Sequence, residues 1–140
     1  MEFPNYAGCV LLADSHHALS EGIRRLLSTS FSTVVMVADE SSLLEAARRL
    51  HCDFVIIDIS LPKGNCIDFL RAFRKQFDTM KIIILGVYDM PTVAQTAIQA
   101  GANGYVVKRE LGTDLLDAVD AVLNGHQYVS PAVSKVASVF

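Results

Sequence analysis

Short apolar runs alternate with amphipathic stretches along this chain, and that alternation limits its fold more than any other feature. Cys9 to Ala13, Val34 to Ala38, Phe54 to Ile57, Lys81 to Leu85 and Tyr105 to Val107 have strand length and are rich in branched residues. Between them Leu19, Ile23, Leu26 and Leu27 recur at helical spacing, as do Leu43, Ala46, Ala47 and Leu50. The same holds for Ile67, Leu70, Phe73 and Phe77, for Val93, Ala94, Ala97 and Ile98, and for Leu115, Leu116, Val119, Val122 and Leu123. Five βα units predict a parallel sheet with helices on both faces. The run at Phe54–Ile57 has the bulk of a strand buried on both sides. Ser42 with Glu45 spells a capping box, Asp89 and Pro91 mark a helix start, and Asn124-Gly125 closes the last helix.

Apolar residues make up 51% and charged residues 19% of 140, which fits one globular domain with a real core. The formal net charge of −3 argues against this chain itself gripping a nucleic-acid backbone or an anionic membrane. Arg24, Arg25, Arg48, Arg49, Arg71, Arg74 and Lys75 read as solvated helix faces. Cys9, Cys52 and Cys66 show no ligand spacing, and an odd count suits reduced thiols in a cytosol. The first residues lack a signal-peptide pattern, and no apolar run approaches the ~20 residues that span a bilayer. The expected location is cytoplasmic, without membrane contact.

In a doubly wound sheet the ligand site lies beyond the carboxyl ends of the strands. Three charged residues stand there: Asp14 after the first strand, Asp58 after the third and Lys108 after the fifth. Pro62 forces the chain to turn soon after Asp58. Two carboxylates offer hard oxygen ligands for Mg²⁺, and a carboxylate is also a nucleophile toward phosphorus. Lys108 would then neutralise a phosphoryl oxygen. Asp58, on the central strand, is the expected nucleophile. His16 and His17 read as exposed loop and helix-start residues, since adjacent histidines share no helix face and chelation needs a third ligand.

Asp14, the run Asp58-Ile59-Ser60-Leu61-Pro62 and the run Gly104-Tyr105-Val106-Val107-Lys108 resemble the receiver domain of two-component response regulators. The resemblance covers about Gly8 to Gly125. It implies a flavodoxin-like α/β fold with five parallel strands in the order 2-1-3-4-5. It implies Asp58 as phosphoacceptor, Lys108 as the family lysine, and Asp14, Asp58 and the Ser60 backbone as the Mg²⁺ site. Tyr105 matches the aromatic that rotates on activation. Two positions depart from the pattern. Ser15 stands where the family has a second acid, so Mg²⁺ binding should weaken. Gly86 stands where the family has Ser or Thr, which removes a hydroxyl from phosphoryl stabilisation and from the coupling to Tyr105.

The stretch around His16 and the Tyr128-Val129-Ser130-Pro131 tail resemble the subclass with a LuxR-type helix-turn-helix output. Residues 1–125 are expected to form the receiver and 126–140 a linker. There Ser130 caps a short helix whose apolar face is Val133, Val136, Ala137 and Phe140. That helix leads to an absent DNA-binding domain, in a truncated or stand-alone chain. The expected function is phosphoryl acceptance from a sensor histidine kinase, homodimerisation, and transcriptional control through the missing domain. The expected enzymology is at most self-phosphorylation and self-dephosphorylation. The alternative is a degenerate receiver acting by protein contact without phosphate. A flavin or nucleotide enzyme is disfavoured because Asp14-Ser15-His16-His17 replaces the Gly-rich phosphate loop.

Overall fold

The structure is a computed structural model; it describes residues 6–133, and the side chains of all but Tyr6, Ala7 and His17 among them. Val136, Ala137 and Phe140, expected on a short sixth helix, lie outside the described residues. The elements run β1 (Tyr6–Ala13), α1 (His17–Leu27), β2 (Phe31–Val37), α2 (Glu40–Arg49), β3 (Phe54–Asp58), α3 (Cys66–Gln76), β4 (Lys81–Gly86), α4 (Pro91–Ala100), β5 (Gly104–Val107), a 3₁₀ turn (Lys108–Glu110), α5 (Leu111–Leu123) and β6 (Tyr128–Val129). The strands form one parallel sheet in the order β2-β1-β3-β4-β5-β6. This is the flavodoxin-like order expected from the sequence, with one short strand added at the edge.

Side chains alternate across the sheet with period two, as a pleated backbone requires. Leu11, Val55, Ile57, Ile82, Ile84 and Tyr105 pack with Leu43 of α2, Leu70 and Phe73 of α3 and Ala94 and Ala97 of α4. Leu12, Phe54, Ile56, Ile83, Leu85 and Val106 pack on the other face with Ile23 and Leu27 of α1 and Leu115, Val119 and Val122 of α5. Every residue of β3 is buried, so its central place follows from its unbroken apolar run. Each such fully buried Ile or Leu contributes about 1.5–3 kcal/mol of transfer free energy. Leu19 departs from its helix's expected apolar face and stays 36% exposed.

The added strand explains Ser130. Its backbone N–H donates to the Tyr105 carbonyl at 3.0 Å, and its buried hydroxyl oxygen accepts from the Val107 N–H at 2.9 Å. Residues 131–133 are helical and the Val133 N–H donates to the Ser130 carbonyl at 2.9 Å, so Ser130 stands at a helix start as the sequence reads it and also ties that start to the sheet edge. The start of α2 differs from expectation. Asp39, one turn earlier than Ser42, caps α2 by accepting from the Ser42 N–H at 2.8 Å. α4 starts at Pro91, with proline in its first turn as expected; Met90 occupies the cap position, and Asp89 pairs with Arg109 at 2.8 Å.

Arg74 is not a solvated face residue. Its guanidinium donates to the carbonyls of Met80 at 2.6 Å and Gly101 at 2.6 Å and to Asn103 Oδ1 at 2.9 Å. Asn103 Oδ1 also accepts from the Ile82 N–H at 2.9 Å, so one side chain ties α3 to the turns before β4 and β5. Gly101 has φ +126°, and a Cβ there would lie 2.9 Å from Arg74 Cβ, so glycine suits both the turn and the latch. Cys9 and Cys52 form a disulfide with Cα atoms 4.7 Å apart, against the expectation of three reduced thiols. They are 43 residues apart and meet because β1 and β3 are neighbours, a proximity invisible to local spacing.

Candidate functional site

Three strand ends converge. Asp14 continues β1 by donating its N–H to the Val37 carbonyl at 3.1 Å, which leaves its side chain at the rim, 5% exposed. Asp58 ends β3 and is 1% exposed. The Ile59 N–H donates to the Leu85 carbonyl at 2.8 Å and the Leu61 N–H to the Asp58 carbonyl at 2.9 Å, so the chain turns sharply around the carboxylate. Lys108 opens the 3₁₀ turn after β5 and reaches back across the rim. Its Nζ lies 3.1 Å from Asp58 Oδ2 and 3.5 Å from Asp14 Oδ2. The structure thus brings together the three charges that the sequence placed at equivalent strand ends.

Burial pushes the Asp58 carboxyl up, but bonds from Ser60 and Lys108 and the Lys108 charge outweigh it and hold the group below the usual carboxylate range. Ser60 meets Asp58 twice, its hydroxyl donating to Oδ2 at 2.8 Å and its N–H to Oδ1 at 3.3 Å. Nearby, burial and the Asp58 charge push the Cys66 thiol up to about 11. Asp14 Oδ2 is buried and accepts no hydrogen bond. Two carboxylates face one ammonium, so the cleft keeps surplus negative charge. A buried oxygen that accepts no hydrogen bond and meets only the Lys108 ammonium at 3.5 Å, among hard donors, fits a divalent cation. Ser15 is exposed and adds no charge.

His16 is exposed at the start of α1, as the sequence reads it, and the structure adds contacts to both carboxylates. Its N–H donates to Asp14 Oδ1 at 2.8 Å, and its Nδ1 lies 3.0 Å from that oxygen and 3.4 Å from Asp58 Oδ2. The third member of a donor cluster is therefore the imidazole itself. An Asp-x-His step at a helix start carries the signal, because the residue two after an aspartate readily bonds back to its carboxylate.

Gly86 ends β4 and Tyr105 lies on β5 one strand over. Tyr105 is wholly buried, and its hydroxyl donates to the Tyr88 carbonyl at 2.7 Å. Burial pushes its phenol up to about 12.

A rim with a buried central aspartate, a second acid and a returning lysine on this sheet defines a receiver. Residues 10–120 match the response regulator receiver domain family, and the chain belongs to it. Among curated relatives, the nitrate/nitrite response regulator protein NarP of Escherichia coli is 31% identical over 90% of this chain and 60% of its own length. A LuxR-family two-component response regulator from Aurantimonas sp. has a solved structure that is 29% identical, with a TM-score of 0.84 over 92% of this chain and 94% of that one. The isolated receiver domain of RcsB from Salmonella enterica serovar Typhimurium, solved with the phosphomimetic BeF3-, is 25% identical with a TM-score of 0.84 over 92% of this chain and 97% of that one. The chain spans little more than half the length of the curated relatives it matches, 54% and 60% of the first two. Among the described residues no helix is long and apolar enough to cross a membrane.

Proposed function

We propose that this domain accepts a phosphoryl group on Asp58 from a phosphohistidine of a sensor kinase. The observation that carries the reading is Lys108 Nζ at 3.1 Å from Asp58 Oδ2, in a rim also lined by buried Asp14. An Asp58 oxygen attacks phosphorus, the phosphorus–nitrogen bond breaks, and the imidazole leaves with its electron pair and takes a proton from solvent. Lys108 neutralises a phosphoryl oxygen as negative charge moves onto the cleft. Asp14 and Asp58, with the Ser60 backbone, would hold Mg²⁺, which when bound offsets phosphoryl charge. Water later attacks phosphorus and returns the carboxylate and inorganic phosphate. This self-dephosphorylation is the only turnover proposed.

Downstream, we assign a homodimer that controls transcription through a DNA-binding module of the LuxR type. The relatives NarP and the LuxR-family regulator support that class of output. Residues 126–140 would serve as the link to it. Incubation with acetyl phosphate and Mg²⁺ should add one phosphoryl mass to the intact protein and none to D58N. An unmodified wild type would overturn the proposal.

A second reading is favoured by one observation: Tyr105 is already buried beside Gly86, where no hydroxyl side chain stands. Under it the domain is an interaction module whose α4–β5 face ignores phosphate. Light scattering with and without the phosphodonor separates the two. A change in oligomeric state on phosphorylation supports the first reading, and an unchanged dimer supports the second.

A further inference from the structure

His16 has no part in the phosphoryl reading, yet it stands inside the cleft. Two groups hold it there. Its own N–H bonds to Asp14 Oδ1 at 2.8 Å, and its carbonyl accepts from the Ser20 N–H and hydroxyl at 2.9 Å each. The ring is thereby fixed over both carboxylates at the cap of α1. Donors bound at about 2.0–2.2 Å to one metal ion lie about 3 Å apart when adjacent. The separations from His16 Nδ1, 3.0 Å to Asp14 and 3.4 Å to Asp58, match such edges. One ligand atom from each of the three residues lies within 4.8 Å of the others. The buried Asp14 Oδ2 accepts no hydrogen bond and meets Lys108 Nζ only at 3.5 Å, which leaves a polar deficit that a metal ion would fill. The imidazole is 60% exposed, and its Nδ1 also lies 3.5 Å from Lys108 Nζ; as a ligand it would present the Nδ1 lone pair to the cleft with the ring proton on Nε2.

We propose that His16 Nδ1 is a metal ligand in the place left by the missing acid at Ser15, and that this nitrogen turns the site from Mg²⁺ toward a borderline first-row ion such as Mn²⁺ or Zn²⁺. The reason is donor chemistry. Mg²⁺ gains little from imidazole, whereas Mn²⁺, Co²⁺ and Zn²⁺ accept it readily and in rising order of affinity up to the copper end of the series. The proposal rests on the receiver reading only in taking the cleft as a divalent-cation site.

The test is calorimetric titration of the full chain with Mg²⁺, Mn²⁺ and Zn²⁺ alone, joined to pulsed EPR of the Mn²⁺ form. The wild type should bind Zn²⁺ and Mn²⁺ tighter than Mg²⁺. In H16A the transition-metal affinity should drop about tenfold or more, while Mg²⁺ changes little. The Mn²⁺ signal should carry nitrogen hyperfine coupling in the wild type and in H17A, and lose it in H16A. Mn²⁺ bound without nitrogen coupling, equal affinities in wild type and H16A, or no metal binding would each overturn the proposal. Mass addition from acetyl phosphate is scored in parallel. An adduct without nitrogen coupling removes the ligand and spares the phosphoacceptor; nitrogen coupling without an adduct does the reverse.

Discussion

The Tyr105 ring fills the space that a side chain at Gly86 would need. A Cβ at position 86 would lie 2.7 Å from Tyr105 Cζ and 3.0 Å from Cε2, with the phenol oxygen closer still. No real Cβ tolerates that approach, so the inward tyrosine in this position requires glycine at 86. The departure from Ser or Thr at this position is thus tied to the buried ring, and the ring is secured by the Tyr88 carbonyl.

The G86T variant should therefore displace Tyr105 or strain the core, lowering stability by roughly 1–3 kcal/mol in urea unfolding. The same change in a Y105A background should cost much less, because the clash has gone. Equal costs in both backgrounds would show that the two positions are uncoupled. Y105F keeps the ring and loses only the bond to Tyr88, an expected cost of about 0.5–1.5 kcal/mol.

Tyr105 also sets an alkaline limit. Its folded pKa of about 12 lies above the unfolded value, so its contribution is complete below about pH 10 and lost as pH rises toward the folded value. Comparing wild type with Y105F in unfolding at alkaline pH should show this slope in the wild type alone. Ultraviolet titration should show one fewer late-ionising phenol in the variant.

Asp58 acts at the opposite end. Its folded pKa lies below the unfolded one, so its stabilising contribution is present above about pH 4 and fades as pH falls through the folded value. Urea midpoints followed between about pH 2 and 5 should fall more steeply for wild type than for D58N.

Arg74 should behave as a structural tie. R74A leaves the Gly101 and Met80 carbonyls and one Asn103 bond without their cationic donor. The expected loss is about 2–4 kcal/mol, measured by denaturant unfolding. R71A, on an exposed pair at 4.0 Å, should change stability by less than about 0.5 kcal/mol.

Thiol counting tests the Cys9–Cys52 bridge. Denatured, unreduced protein should react at one thiol, Cys66, and reduced protein at three. In the native state Cys66 should alkylate slowly near neutral pH, since its thiol ionises only at about 11. Three reactive thiols before reduction would contradict the bridge.

What the sequence disclosed follows from the range of each signal. The apolar run at Phe54–Ile57 and the charges at Asp14, Asp58 and Lys108 are local facts, and the βα alternation fixes where strand ends go, so the rim was legible. Arg74 was not, because its partners Gly101 and Asn103 lie 27 and 29 residues away and only the fold places them. Cys9 and Cys52 escaped for the same reason. β6 escaped because two residues carry no periodicity, and its edge is fixed by the Ser130 hydroxyl. The His16 contacts escaped because metal-ligand spacing was sought along the chain, whereas its second carboxylate comes from another strand.

The most direct test of the central claim resolves the acceptor residue. Protein treated with acetyl phosphate and Mg²⁺ is reduced with borohydride, which converts an aspartyl phosphate to homoserine, and its peptides are sequenced by mass spectrometry. Homoserine at position 58 alone, and none in K108A at matched short times, is the predicted result. An intact aspartate at 58, or homoserine at another acid, would contradict the account.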